Sequence, residues 1–171
     1  MPKPLIWLLA AAPVLSVAAD ASYSLYEGLV KIAAPADWTV ILKKTEGIPQ
    51  FIAFQAKDAA AQSNGESSQV SVEGKLLNDT STWQALVNAG MDKAKQTSGY
   101  EARADGSDQS ALHYSALNGK QRYEYRESWT LNTKVLTHVR CSRPVIAGAS
   151  ATATQAFDAG CAQIIQSVKL R

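Results

Sequence analysis

The spacing of apolar residues changes repeatedly along the chain, and each period predicts an element. "GLVKIA" (28–33) reads as a first strand, "APADW" turns the chain through Pro35, and "WTVILKK" reads as a second strand. "PQFIAFQAK" predicts a third, in which Phe51, Ala53 and Gln55 alternate with Ile52 and Phe54. The small, polar "DAAAQSNGESS" predicts a mobile loop with a turn at Asn64-Gly65. "QVSVEGKLL", with Val70 and Val72 alternating against polar neighbours, predicts a fourth strand, so the first half reads as an antiparallel meander.

The period then becomes helical. Trp83, Leu86, Val87, Gly90, Met91 and Ala94 fall on one stripe, with Thr80 or Ser81 expected to cap its start and Gly99 to end it. Asn78-Asp79-Thr80 matches a glycosylation acceptor, but its place at a helix start favours the capping role. Period 2 returns weakly in "YEARADGS" and more clearly in "SALHYSAL", "KQRYEYRESWTL" and "KVLTHVRCS". Asn118-Gly119 is a strong hairpin turn signal and Asn132-Thr133 a weaker one. A last helix is predicted by the stripe Ala153, Ala156, Phe157, Gly160, Cys161, Ile164 and Val168. The order strands, helix, strands, helix predicts an α+β fold, a twisted antiparallel sheet covered by helices.

Residues 1–19 follow a different pattern: Lys3, an apolar run from Leu5 to Val17, then Val17-Ala18-Ala19 before Asp20. This is the three-part pattern of a secretory signal peptide, too short for a permanent membrane span, with cleavage after Ala19 or after Ala21. Residues 20–171 are then expected to form one α+β domain, exported to the periplasm or beyond, with no permanent membrane anchor. Of 17 Lys and Arg residues only Lys3 lies in the leader, leaving 16 basic against 15 acidic residues. That balance gives no general reason to expect nucleic acid or an anionic membrane as partner. It is locally broken between Lys120 and Arg143, where six basic residues stand against Glu124 and Glu127.

Two cysteines in an exported chain favour an intramolecular disulfide. Strand alternation places Cys141 with Val135, Thr137 and Val139, while His138 and Arg140 point the other way. His138 is thus expected on the opposite face from Cys141, which disfavours a nucleophilic Cys/His pair. Cys161 shares the last helix's apolar stripe, so both sulfurs are expected in one interface and a Cys141–Cys161 bond is predicted.

Only His113 and His138 are available as histidine ligands, on different strands, so no metal site or cofactor is expected. Asp105-Gly106-Ser107-Asp108 lacks the ligand spacing of a calcium loop and reads as a turn. A serine elbow, a Ser-x-x-Lys pair, a zincin helix and a phosphate loop are all missing; "GASAT" (148–152) lacks the elbow's final glycine. The remaining candidate is a binding face of Arg122, Glu124, Arg126, His138 and Arg140, gathered on one side if the two long strands pair as a hairpin. Its competing reading is a solvated array of cross-strand ion pairs.

The segment "GLVKIAAPADWTVILKKTEGIPQFIAFQAK", with Pro35 and Trp38 in a Pro-x-x-Trp turn, resembles the opening of the PsbP-like α/β sandwich superfamily. The later order of middle helix, Asn-Gly-Lys hairpin at 118–120, two long strands and a closing helix ending in "SVKL" is similar too. That group includes photosystem extrinsic subunits, DcrB-like bacterial envelope proteins and chaperone-like adaptors of type VI secretion effectors. The resemblance implies a mostly non-catalytic, protein-binding role and transfers neither the cysteine pair nor any active-site residue. The expectation is a non-catalytic periplasmic protein-binding or adaptor module with a protein partner in the envelope. An immunity protein against a secreted toxin, and an envelope hydrolase with an unfamiliar site, are the alternatives.

Overall fold

The computed structural model describes residues 20–169, and the leader-like segment 1–19 lies outside them. The chain opens with a hairpin, β1 (Ala21–Leu25) and β2 (Val30–Ala34), paired from Ala21↔Ala34 to Leu25↔Val30. β2 is the strand expected at 28–33, but it does not enter the main sheet. Its partner is β1, whose Ala21, Tyr23 and Leu25 alternate with Ser22 and Ser24 in the stretch that begins just after Asp20.

The main sheet has seven antiparallel strands. β3 (Thr39–Lys44), β4 (Gln50–Gln55) and β5 (Gln69–Leu76) form one meander; β6 (Glu101–Ala102), β7 (Ala111–Asn118), β8 (Gln121–Asn132) and β9 (Val135–Pro144) form another. They join through β5 and β9, giving the order β3-β4-β5-β9-β8-β7-β6. Asn118 pairs with Gln121, so the β7–β8 turn is two residues long, and Gly119 supplies the positive φ of 62° that it needs.

Three α-helices complete the fold among the described residues: α1 (Ala59–Ser63), α2 (Trp83–Lys95) and α3 (Ala151–Lys169). α1 stands where the spacing predicts a loop. Asp58 makes the turn, accepting from the Ala61 backbone N–H at 3.1 Å and from the Ser68 hydroxyl at 2.7 Å. Before α2, Asp79 rather than Thr80 or Ser81 caps the opening turn, accepting from Ser81 N–H at 2.8 Å. That backbone bond, with a second from the Ser81 hydroxyl, holds the Asp79 carboxyl below its usual range. α2 ends at Lys95, four residues before Gly99, which turns the chain toward β6 with a φ of 66°.

The helices cover different halves of the two sheet faces. On one face α3 and the β1–β2 hairpin lie over β4, β5 and β9, burying Ile52, Phe54, Val70, Val72, Val139 and Cys141 against Phe157, Cys161 and Ile164. Cys141 and Cys161 are bonded there, with Cα atoms 6.1 Å apart. On the opposite face α2 sets Val87, Met91 and Ala94 over the aromatic part of β7 and β8: Tyr114, Tyr123, Tyr125 and Trp129. Each face therefore has a covered apolar half and an uncovered polar half, in diagonal arrangement. No helix among the described residues is long and apolar enough to cross a membrane.

Candidate functional site

The turn between β8 and β9 decides which side chains meet. Asn132 pairs with Val135, leaving only Thr133 and Lys134 in the turn, and the ladder then sets Trp129 opposite His138, Glu127 opposite Arg140, Arg126 opposite Cys141 and Glu124 opposite Arg143. Directly opposed residues in an antiparallel pair share a face. The expected binding face of Arg122, Glu124, Arg126, His138 and Arg140 is therefore divided. Arg126 and Glu124 lie on the Cys141 side, whereas His138 and Arg140 lie on the α2 side; an even turn length flips the parity on which the single-face expectation rests.

On the Cys141 side the charges are used among themselves. Glu124 accepts from His113 Nε2 at 2.9 Å, pairs with Arg143, and lies 3.5 Å from Arg103. Arg122 reaches Glu101 at 3.2 Å, the Ser115 hydroxyl at 2.9 Å and the Gly99 carbonyl at 3.1 Å. Arg126 lies 3.6 Å from Asp158 of α3. His113 is also within 3.2 Å of Asp105; the Asp105 carboxyl is held below its usual range first by its own backbone hydrogen bond and then by the His113 charge. This half of the sheet is an array of cross-strand pairs.

The α2 side holds a different arrangement. Glu127, 5% exposed, projects from the middle of β8. The Tyr114 hydroxyl donates to its Oε1 at 2.5 Å, His138 Nε2 lies 2.6 Å from Oε2, and Arg140 Nε lies 3.4 Å from Oε1. Burial pushes the Glu127 carboxyl up, but the hydrogen bond and charge of His138, with Tyr114 and Arg140, outweigh it and hold the group below the usual carboxylate range. Tyr114 is driven far above the ordinary phenol range by burial and then by the adjacent carboxylate.

Aromatic rings fix these groups in place. Trp129 stacks on His138, centroids 4.5 Å apart and planes within 2°, and the Arg140 guanidinium lies 4.6 Å above the Tyr125 ring. Tyr125 stacks on Tyr114 at 5.0 Å and on Tyr123 at 6.0 Å. The Tyr123 hydroxyl donates to Glu66, and burial followed by that bond pushes its pKa up to about 12.

Arg140 stands where the covered half of this face meets the open half. Beyond it the sheet forms a concave groove of about 510 Å³, floored by Ala53, Ser71, Gln69, Ser142 and Tyr125 and walled by Phe51, Ile41 and Leu42. Ser71 lies directly across from Arg140, and Ala53 directly across from Ser71. Ile41 and Leu42, 44% and 57% exposed, sit on the free edge strand β3, where a bulge between Val40 and Leu42 brings them in succession to the surface. Sequence parity alone could have found the groove's polar row, because Ser71, Gln69 and Arg140 alternate with the buried valines; Glu127, Tyr114 and Trp129 escaped because they lie on the aromatic stripe that reads as core. Among the described residues no group of three or more His, Cys, Asp and Glu side chains is placed to hold a metal ion.

Pro35 and Trp38, singled out as a turn, are placed away from the groove. Trp38 N–H donates to the Pro35 carbonyl at 3.1 Å, and its ring stacks on Phe157 of α3 at 5.6 Å. They anchor the helix.

The class so defined is an α+β sandwich: a seven-stranded antiparallel sheet with one helix on each face, one disulfide and one open concave face. No protein-family model and no curated protein matches the chain. Among solved structures it is similar to LpqN, involved in cell envelope biogenesis of Mycobacterium tuberculosis, at 10% identity and TM-score 0.49 over 86% of this chain and 87% of that one. It is similar to the Ran-binding protein Mog1p of Saccharomyces cerevisiae at 14% identity and TM-score 0.49, over 89% and 93% of the two chains. Cyanobacterial PsbP of Synechocystis sp. PCC 6803 is similar at 15% identity and TM-score 0.42, over 91% and 96%. The PsbP-like group named from the residues is thus among the similar structures, and the likeness is one of strand and helix layout alone.

Proposed function

We propose that the chain is a non-catalytic protein-binding or adaptor module, exported to an oxidising compartment such as the periplasm, that holds its partner on the uncovered half of the α2 face. The observation that carries this reading is the groove over β3, β4, β5 and β9: a concave sheet surface of about 510 Å³ with a polar floor and exposed Ile41 and Leu42 at its rim. The exposed apolar wall offers surface to bury and the hydroxyl, amide and guanidinium groups of the floor offer hydrogen bonds, a mixture of apolar and polar area such as non-obligate protein interfaces carry. The disulfide and the leader pattern of residues 1–19 support an exported, oxidising location. Against catalysis stands the use of His138: its Nε2 is engaged by Glu127 and its ring is stacked on Trp129, and no Ser, Thr or Cys side chain is hydrogen-bonded to it among the described residues.

The test is affinity capture from an envelope extract, with partners identified by mass spectrometry, using wild type and three variants. Leu42→Glu and Ser71→Tyr obstruct the groove and are expected to lower recovery of the partner at least tenfold. Arg126→Gln, on the Cys141 side, is expected to leave it unchanged. Equal recovery by all four proteins rejects the groove as the binding surface, and a captured toxin would assign the immunity role.

A further inference from the structure

We infer that Arg140 is a carboxylate-docking residue, and that the groove's occupant is an extended protein segment presenting an acidic side chain to it. The inference rests on the protein-binding reading of the groove and adds the chemistry of what is bound.

The first argument is charge. Among the described residues Arg140 is the only charged one lining the groove; the rest of its wall and floor is apolar, hydroxyl, amide or tyrosine. The carboxylates nearest its border are already engaged: Glu127 accepts from Tyr114 through one oxygen and meets His138 with the other, and Glu66 accepts from Tyr123. Glu127 therefore offsets the Arg140 charge only in part, through the 3.4 Å approach to Nε, and that Nε makes no hydrogen bond.

The second argument is preorganisation. A guanidinium recognises a carboxylate through a planar fork, and its affinity suffers when the side chain must first be ordered. Here the plane is laid over Tyr125 and its inner edge is held against Glu127, while the side chain remains 41% exposed at the groove. Ser71, directly across the ladder, adds a hydroxyl donor beside it.

The third argument is shape. From β8 to β3 the groove crosses four strand spacings, roughly 19 Å, which about six residues of extended chain would span. Such a segment, with an acidic side chain over Arg140, would turn the side chains two and four residues further along to the same face, roughly 7 and 13 Å away, toward Phe51 and Leu42. The complementary ligand is thus an acidic residue among apolar ones.

The experiment uses the disulfide-bonded protein and three ligands: the capped hexapeptide acetyl-Thr-Glu-Thr-Leu-Ser-Leu-amide, whose acidic and apolar side chains share one face when extended, its Glu→Gln analogue, and free glutarate. Dissociation constants come from NMR titration, following the Arg140 Nε–Hε signal identified by its loss in Arg140→Gln. The acidic peptide is expected to bind at least tenfold more tightly than the Gln analogue and than glutarate, and to shift that signal. Arg140→Gln should bind both peptides equally, and Arg140→Lys should keep only a small part of the preference; near-UV circular dichroism shows whether each variant is folded, and Arg126→Gln should keep the preference in full. Equal binding of both peptides by wild type overturns the carboxylate inference while leaving the protein-binding reading intact. Glutarate binding as tightly as the peptide overturns the peptide as occupant, and no binding of any ligand at millimolar concentration overturns the inference outright. Loss of partner capture by Leu42→Glu decides the broader reading separately.

Discussion

Glu127 keeps its charge inside the protein because three side chains converge on it from three directions: Tyr114 from β7, and His138 and Arg140 from β9. A buried carboxylate without such partners would be neutral, so the lowered pKa records how completely they offset its desolvation. A carboxyl whose folded pKa lies below its unfolded value contributes stability that is fully present above the unfolded value, near 4.5, and lost as pH falls through the lower folded one. Glu127→Gln is expected to cost about 2 kcal/mol at pH 7, the scale of a hydrogen bond to a charged group. The gap between the two proteins in urea unfolding should narrow as pH falls below that usual value. A gap that stays constant down to pH 2 would show that the Glu127 charge contributes nothing to stability. His138 and Arg140 stood out in the sequence as part of a candidate binding face, but their meeting with Glu127 and Tyr114 did not, since Tyr114 and Glu127 are 13 positions apart and only the strand registers bring the four together.

Among the elements, α3 shows how a glycine inside a helical stripe can mark a close approach. The stripe containing Gly160 was legible from spacing, and so was the turn at Pro35 and Trp38, but nothing in the sequence joined them. In the fold they are in contact. A Cβ built on Gly160 would come within 2.5 Å of Trp38 Cζ2 and 2.9 Å of Pro35 Cγ. Trp38 cannot easily yield, because its ring is stacked on Phe157. Gly160→Ala gains about 1 kcal/mol of helix propensity but incurs overpacking of roughly 1–3 kcal/mol, so a lower thermal midpoint is expected. A higher midpoint would mean that the contact is loose and that the glycine serves no packing purpose. The hairpin register was the element that spacing misjudged: the alternation within β8 and β9 was read correctly, but the two residues of their turn set which alternating set meets which.

The whole molecule is held together by two separate apolar layers on opposite faces of one sheet, displaced from each other across its width. This offset leaves the groove open, because α2 covers β7 and β8 but not β3, β4 and β5. The α+β class and the helices' apolar stripes were legible, since each follows from local period. The offset was not, because it depends on which strands pair at the centre, and the β5–β9 ladder joins residues 59 to 73 positions apart. The layer under α3 also carries the disulfide, whose pairing was legible from the leader pattern, the cysteine count and the facing of both residues, and which closes a separation of 20 residues. Constraining the unfolded chain over that separation contributes about 3 kcal/mol in the chain-entropy account. For a domain of this size each kcal/mol moves the midpoint by roughly 2–4 °C, so Cys141→Ala/Cys161→Ala should melt roughly 6–12 °C lower than the oxidised protein. The sulfurs belong to the α3 layer, on the other face of the sheet from α2, so the double variant is expected to retain the Trp129–His138 stack and the Glu127 network in its near-UV and NMR spectra below that midpoint. Melting within 2 °C of wild type would show that the bond adds little to a layer already fixed by Phe157, Ile164 and Val168. Loss of the Trp129 signals at low temperature would show that the two layers fold as one cooperative unit rather than being stabilised from opposite faces of the sheet.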